Sequence, residues 1–506
     1  MGLQGRNTFL LMILLLALLL RLMPVILAYN LPIGLDDMFQ YDMLARSIVS
    51  GNGYRWYAQP DLALFQQYFP IALPPEYDPR GVLTSFRPPG YPAFLALVYA
   101  VSGIEPHTIV LGGKEMVLTR YFFARLAQAF LGALLAPLTW LLARQVGFAE
   151  RTARWAAGFI AAWPLLIAYT LGLATENLFV VLLTVALVLL LRARNTGRAR
   201  DHALAGLALG LTALTRSVIT AFVPLAALWL FLGNGFTRMN TDEARNPYGA
   251  IFQESWKRRL GLAMLVVACF LVVTVPWSVR NTILHRRFVW IESALGYQMY
   301  LGYHPRSSGT FQYGISLDLM PILDDGARDA RGMQAVWGFI RNDPARVPYL
   351  MLRKAGYLWG LDRRELTYFY SNGFLGCWPA PLVGLVFVLA CAPLVILAPS
   401  AAVGLACGRM DSRKALLALL LAYYTGIHML ILAEPRFHLP LFTPLAGLAA
   451  SAFIERPWYT SRPWQRGAAL ILIALLFLNW GLEIARDWNV VIGLLGPKGC
   501  ELGLPY

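Results

Sequence analysis

The stretch Phe9–Asp37, FLLMILLLALLLRLMPVILAYNLPIGLDD, decides the fold. From Phe9 to Ala28 it is apolar except for Arg21. That matches the ~20 residues a helix needs to cross a bilayer. Two adjacent carboxylates, Asp36 and Asp37, follow shortly after. Charge at a membrane boundary costs far less than charge at the bilayer centre, so the pair reads as an interfacial feature. Arg6 ahead of the run resembles the start of a signal peptide. However, the run continues past Arg21 and shows no small-x-small cleavage site, so it is expected to be an uncleaved first helix.

The rest of the chain repeats this alternation. Of 506 residues, 58% are hydrophobic and only 14% charged, against about 25% charged in soluble domains. Further candidate spans are 120–143, 154–172, 177–192, 203–215, 217–232, 261–279, 380–400, 415–433, 438–454 and 467–484. With 8–28 they make an all-α polytopic membrane protein, a bundle of about 11 transmembrane helices. A further apolar stretch, 91–103, is too short to span and is expected to lie along the surface or re-enter.

The net charge of +15 does not point to nucleic acid, because the arginines are spread among short loops instead of one patch. They report orientation instead. With the N-terminus inside, the inner segments 1–7, 144–153, 193–202, 233–260, 401–414 and 455–466, with flanking Arg154 and Arg192, carry 19 Lys and Arg. The short outer turns 173–176, 216 and 434–437 carry only Arg216 and Arg436. This is the positive-inside pattern, and it turns the two exceptions into candidates for function. The chain then divides into a first transmembrane helix (1–28), a first outer loop with interfacial helices and the acidic pair (29–119), helices two to seven (120–279), a large outer cap segment (280–379), helices eight to eleven (380–484) and an outer tail (485–506). Five cysteines make no disulfide framework and no CxxC pair, but Cys377 and Cys500 both fall on the outer side, where pairing is open to them.

Six polar breaks map to that side. Gly34-Leu35-Asp36-Asp37 offers two carboxylates that can divide labour, one as base and one as positioning group; it also suits the N-terminus of an interfacial helix. Ser85-Phe86-Arg87-Pro88-Pro89-Gly90-Tyr91-Pro92 stiffens a turn and presents Arg87, either to a phosphate or to solvent. Thr175-Glu176-Asn177 puts a carboxylate at the bilayer edge, facing the site or simply solvated. Arg216, in Leu214-Thr215-Arg216-Ser217, either snorkels or binds an anion. Pro276-Trp277-Ser278-Val279-Arg280-Asn281 is interfacial belt chemistry or a phosphate ligand. In Ala433-Glu434-Pro435-Arg436-Phe437-His438-Leu439-Pro440, Arg436 and His438 suit phosphate oxygens with Glu434 orienting Arg436, or the three close a turn by an internal ion pair.

The order of these motifs, with Arg125-Leu126-Ala127-Gln128 in the second span, resembles the bacterial GT-C membrane glycosyltransferases, the protein O-mannosyltransferase and lipid A aminoarabinose transferase group. The resemblance runs from about residue 8 to 455. It implies a GT-C bundle with an outer, periplasmic cap, a polyprenyl-phosphate sugar donor, and Asp36 as catalytic base. The family often has Glu as the second acid; here it is Asp37, one methylene shorter. Arg87, Glu176, Arg216, Arg280, Glu434, Arg436 and His438 are the expected ligands of the lipid phosphate and sugar. The relatives imply that no cofactor is required; the alternative is a divalent Mg²⁺ or Mn²⁺ held by Asp36, Asp37 and Glu176.

The expected function is transfer of a sugar to a protein, lipid or cell-envelope glycan on the outer side of a bacterial cytoplasmic membrane, by inverting displacement. The expected partners are donor, membrane lipid and acceptor, with no nucleic acid. A lipid-linked oligosaccharide polymerase or ligase shares this architecture. A polytopic lipid or sugar transporter is the more distant rival, since transporters bind near the midplane between repeated halves, and no halves match here.

Overall fold

A computed structural model describes residues 3–68, 71, 73, 76–111, 114–233, 256–373 and 376–503. Most of the inner segment 233–260 lies outside the described residues, as do the last three residues of the tail.

Helix covers most of each of the eleven expected spans, but fewer pass as spans by length and composition. Among the described residues seven do: Gly5–Leu27, Arg120–Val146, Glu176–Thr196, Trp256–His285, Ala380–Ala406, Pro435–Ile454 and Pro463–Arg486. An eighth, Glu150–Ala161 with Pro164–Leu171, is bent by 48°. The break is at Pro164, which starts the second piece because it has no N–H to continue the first. Ala199–Thr215 is only 17 residues long, Ser217–Leu232 is also short, and Ser412–Leu430 carries Arg413, Lys414 and His428 in its apolar run. The stretch at 91–103 is a short apolar helix, Gly90–Ser102.

Two sequence features explain how these helices pack. Gly206 and Gly210, one turn apart on Ala199–Thr215, face Trp256–His285. A Cβ on Gly206 would come within 2.3 Å of the Val266 carbonyl oxygen, and one on Gly210 within 2.6 Å of Val273 Cβ. Small residues at this spacing let two membrane helices approach closely. Arg21, fully buried in the first span, donates to the carbonyls of Ile160 (3.2 Å) and Ala161 (3.1 Å). These are orphan carbonyls at the end of the bent helix, and a cation satisfies them well.

The long segments 29–119 and 280–379 share one apolar cluster. Phe39, Leu44, Trp56, Phe65 and Phe86 from the first pack with Ala294 and Leu323 from the second. A two-residue antiparallel ladder, Arg55–Trp56 with Val82–Leu83, and the hairpin His107–Leu111 with Lys114–Leu118 are the strands among the described residues. Arg125 and Gln128 tie the first segment to the bundle. Arg125 donates to the carbonyls of Leu31, Pro32 (3.0 Å) and Leu171 (2.7 Å). Gln128 donates to those of Thr170 and Gly172 and accepts from the Tyr91 hydroxyl. The R-x-x-Q pair thus fixes the loops ahead of both Asp36 and Glu176.

Cys377 and Cys500 form a disulfide across 123 residues of sequence.

Candidate functional site

The short chain between the first span and the helix Asp37–Val49 puts two neighbouring carboxylates in different surroundings. Asp36 is the N-cap of that helix: one oxygen accepts from the Met38 N–H at 2.8 Å. The other accepts from the hydroxyl of Tyr368. Neither oxygen of Asp36 is paired with a guanidinium among the described ion pairs. Asp37, the first residue of the helix, pairs with Arg87 and lies 3.5 Å from Arg436 Nη2.

The electrostatics follow from the geometry. Burial pushes the Asp36 carboxyl above its usual range and the neighbouring Asp37 charge adds to this, against the hydrogen bonds from Tyr368 and Met38. Burial also pushes Asp37 up, but Arg87 and Arg436 outweigh it and hold that carboxyl below its usual range. Neighbouring acids with displaced titrations in opposite directions are what a division into base and positioning group requires.

The basic groups come from three separate elements. Arg87 sits on the turn before Gly90–Ser102; its Nε donates to Gln40 at 2.9 Å, and its guanidinium lies 5.3 Å from the Tyr41 ring centre. Arg436 Nε donates to Glu434 at 2.5 Å. Arg216, at the end of Ala199–Thr215, pairs with Glu176, the first residue of Glu176–Thr196. Phe437 joins these pairs: Arg216 lies 4.9 Å and Arg436 5.7 Å from its ring centre. Asp36, Asp37, Arg87, Glu176, Arg216, Glu434 and Arg436 therefore form one connected cluster. Each arginine keeps N–H groups for a further acceptor: Arg87 and Arg436 each have an Nη1, and Arg216 an Nη2, with no partner among the described hydrogen bonds.

Two expected members are elsewhere. Arg280 Nη1 donates to the Thr84 carbonyl and, at 2.9 Å, to Asn281; its Nη2 reaches the Tyr54 carbonyl at 3.4 Å. It holds the 54–84 loop instead of joining the cluster, because backbone carbonyls reach it first. His438 is fully buried, with Nδ1 2.6 Å from the Leu358 carbonyl and Nε2 2.7 Å from Asp362. Both ring nitrogens are committed to the protein, so the imidazole fastens the chain after Glu434–Phe437 to the loop after Leu358.

Four residues that the sequence reading did not single out belong here. Gln40 lies one helical turn beyond Asp37 and orients Arg87. Ser217 follows Arg216 directly and donates to Glu292. Burial pushes the Glu292 carboxyl up, and no cation pairs with it among the described ion pairs. A lone acid between Trp290, Ile291 and Ala294 was the available signal for it. Tyr368 carried no signal, being one of 23 tyrosines, of which none stands out by position.

Asp36, Asp37 and Glu176, the expected metal ligands if a metal binds, are not among the residue groups whose ligand atoms all lie within 4.8 Å of one another. The described groups of that kind are the disulfide pair with Glu501, and His285 with Asp324 and Asp325.

Residues 82–283 match the family described as dolichyl-phosphate-mannose-protein mannosyltransferase. That stretch contains Arg87, Glu176, Arg216 and Arg280. The apo oligosaccharyltransferase of Archaeoglobus fulgidus superposes at a TM-score of 0.51 and 15% identity, over 99% of this chain and 56% of that one. The chain has the GT-C fold. ArnT from Cupriavidus metallidurans bound to undecaprenyl phosphate is similar over 98% of this GT-C chain and 66% of its own, at 13% identity and a TM-score of 0.47. The chain spans about half, 56%, of the length of the oligosaccharyltransferase chains it matches. No curated protein sequence matches it.

Proposed function

We propose that this GT-C chain is a membrane glycosyltransferase that moves a sugar from a polyprenyl-phosphate donor to a hydroxyl-bearing acceptor. The observation that carries the reading is the unequal treatment of the acidic pair: Asp37 is fastened to arginines, whereas the described hydrogen-bond donors to Asp36 are the neutral Met38 N–H and Tyr368 hydroxyl. A carboxylate without a guanidinium partner is free to take a proton.

In the proposed reaction the acceptor oxygen attacks the anomeric carbon while its proton passes to Asp36. The bond from that carbon to the phosphate oxygen breaks, and the lipid phosphate leaves with the electron pair. A single displacement inverts the anomeric centre. The uncommitted N–H groups of Arg87, Arg216 and Arg436 meet the charge that grows on the leaving phosphate, which is the most effective place for fixed donors. Glu176, Glu434 and Asp37 hold these guanidinium groups in position beforehand. Glu292 faces the hydroxyls of the sugar or acceptor. Three guanidinium groups supply the positive charge the leaving group needs, so the proposed reaction uses no resident Mg²⁺ or Mn²⁺.

The site is proposed to face the periplasm of a bacterial inner membrane, under a cap formed by 29–119 and 280–379. The positive-inside count and the Cys377–Cys500 disulfide support that side, since disulfides persist in oxidising compartments. The acceptor class is a protein, a lipid or an envelope glycan. Incubation of purified protein with a labelled polyprenyl-phosphate sugar tests the reading. Release of lipid phosphate with transfer of label supports it; an intact donor under all acceptor conditions rejects it in favour of transport.

A further inference from the structure

The residues after the last span lie far from Asp36 in sequence, yet they help to hold a side chain that donates to its second oxygen. Tyr368 lies on the helix Arg363–Ser371, nine residues long. A helix this short has little stability of its own in water and depends on tertiary contacts. Arg364 donates to Thr310 at 3.2 Å, and several further contacts come from the C-terminal end of the chain. At the start of the helix, Arg363 lies 3.0 Å from Glu483 and also pairs with Asp487. Along one face, Leu366 and Tyr370 are buried with Val383, Leu494 and Cys500. At its end the Gly503 N–H donates to the Ser371 carbonyl at 3.0 Å. Six residues beyond the helix, Cys377 is bonded to Cys500.

Leu366 and Tyr370 are four residues apart and so share a face; Tyr368 points the other way. One face of this helix thus rests on the C-terminal tail, and the opposite face reaches Asp36. The Tyr368 hydroxyl donates a hydrogen bond to Asp36 that leaves the carboxylate's remaining lone pairs in a fixed direction.

We propose that Tyr368 is a positioning residue for Asp36 and that the disulfide-bonded tail, residues 487–503, is the brace that holds it there. The tail therefore reaches the chemistry without touching a substrate. This rests on the assignment of Asp36 as the base. The brace itself is independent of that assignment.

A small misplacement of a reacting group can cost a large factor in rate without weakening substrate binding. Tyr368→Phe, which keeps the ring, is expected to lower kcat about ten-fold or more and leave the donor KM within about two-fold. Replacing both cysteines, Cys377→Ser with Cys500→Ser, is expected to lower kcat in the same pattern by a smaller factor. The same cysteine replacement made in the Tyr368→Phe background should then cost almost nothing further, because both changes act through one contact. Wild-type kcat for Tyr368→Phe, a loss confined to KM, or independent and multiplicative effects of the two changes would each overturn the proposal.

Amide hydrogen exchange separates this from the glycosyltransferase reading itself. The cysteine variant is expected to exchange amides in 363–371 at least about ten-fold faster than the intact protein, and Tyr368→Phe to speed exchange at Met38, whose N–H Asp36 holds. Should the wild-type protein transfer no sugar, these exchange rates still decide: unchanged rates in both variants overturn the brace.

Discussion

Two polar clusters hold the long segments 29–119 and 280–379 in place, and they differ in what is left over. Around Asp325 the donors converge on one carboxylate oxygen. Its Oδ2 accepts from Ser85 N (2.8 Å), Ser293 Oγ (2.6 Å) and Thr84 Oγ1 (3.1 Å), while His285 lies 2.7 Å from Ser85 Oγ. The carboxylate is 1% exposed. Around Asp37 the partners are guanidinium groups with N–H donors to spare, and Arg436 keeps 30% of its side chain exposed. Both clusters contain acids and bases, and both were built from residues distant in sequence. A network whose donors are spent on one buried carboxylate is architecture, whereas one that keeps donors uncommitted has capacity for a ligand. The Asp325 cluster also serves the other one, because Ser85 is two residues from Arg87.

The contrast can be broken at several points. The largest effect is expected for Asp36→Asn, which should lower sugar transfer by roughly 10²–10⁴-fold while the protein stays folded, as judged by unchanged thermal unfolding. Asp325→Ala should do the opposite. It strands several buried donors and is expected to cost about 3 kcal/mol or more of stability, read as a lower Tm, with kcat per folded molecule changed far less. Should Asp325→Ala instead keep its Tm and lose catalysis, the division between the clusters is wrong.

The two arginines that the sequence treats alike sharpen the contrast. Arg216→Gln is expected to raise the donor KM by about ten-fold or more, because it removes a charge from the proposed phosphate cradle and leaves Glu176 unpaired. Arg280→Gln is expected to leave the donor KM close to wild type and cost about 1–2 kcal/mol through its lost carbonyl contacts. Equal effects on KM would put Arg280 back among the phosphate ligands.

The smallest effect concerns pH. Asp36 acts only when ionised, so activity should fall as pH drops through its titration. Burial and Asp37 place that limb above the ordinary aspartate range. Asp37→Asn removes a neighbouring negative charge, so the limb should move to lower pH in the rate profile of whatever activity remains. A shift to higher pH would mean that another group sets the limb.

These differences also explain what could be read in the sequence. Asp36, Glu176, Arg216 and Arg436 were legible because membranes penalise charge, so a charged residue at the end of an apolar run stands out. Glu434 was legible beside Arg436 for the same reason. Arg280 and His438 stood out equally, but sequence does not show whether a backbone carbonyl or a buried carboxylate will reach a side chain first. Tyr368 was invisible because the 280–379 segment carries no periodic pattern that fixes which residues meet the bundle, and for Glu292 the only signal was a lone acid among apolar neighbours. The break at Pro164 is readable in retrospect: proline marks it, and the buried Arg21 satisfies the carbonyls it frees. Helices such as Ala199–Thr215 fall short of a span by length alone, and Gly206 and Gly210 pack it at close range against Trp256–His285.

The most direct test of the account is a structure of the protein with a polyprenyl phosphate bound. The phosphate is expected within hydrogen-bonding distance of Arg87, Arg216 and Arg436, with the side that would carry the sugar turned towards Asp36. A phosphate found at Arg280, at the Asp325 cluster or at the other ends of these helices would contradict it.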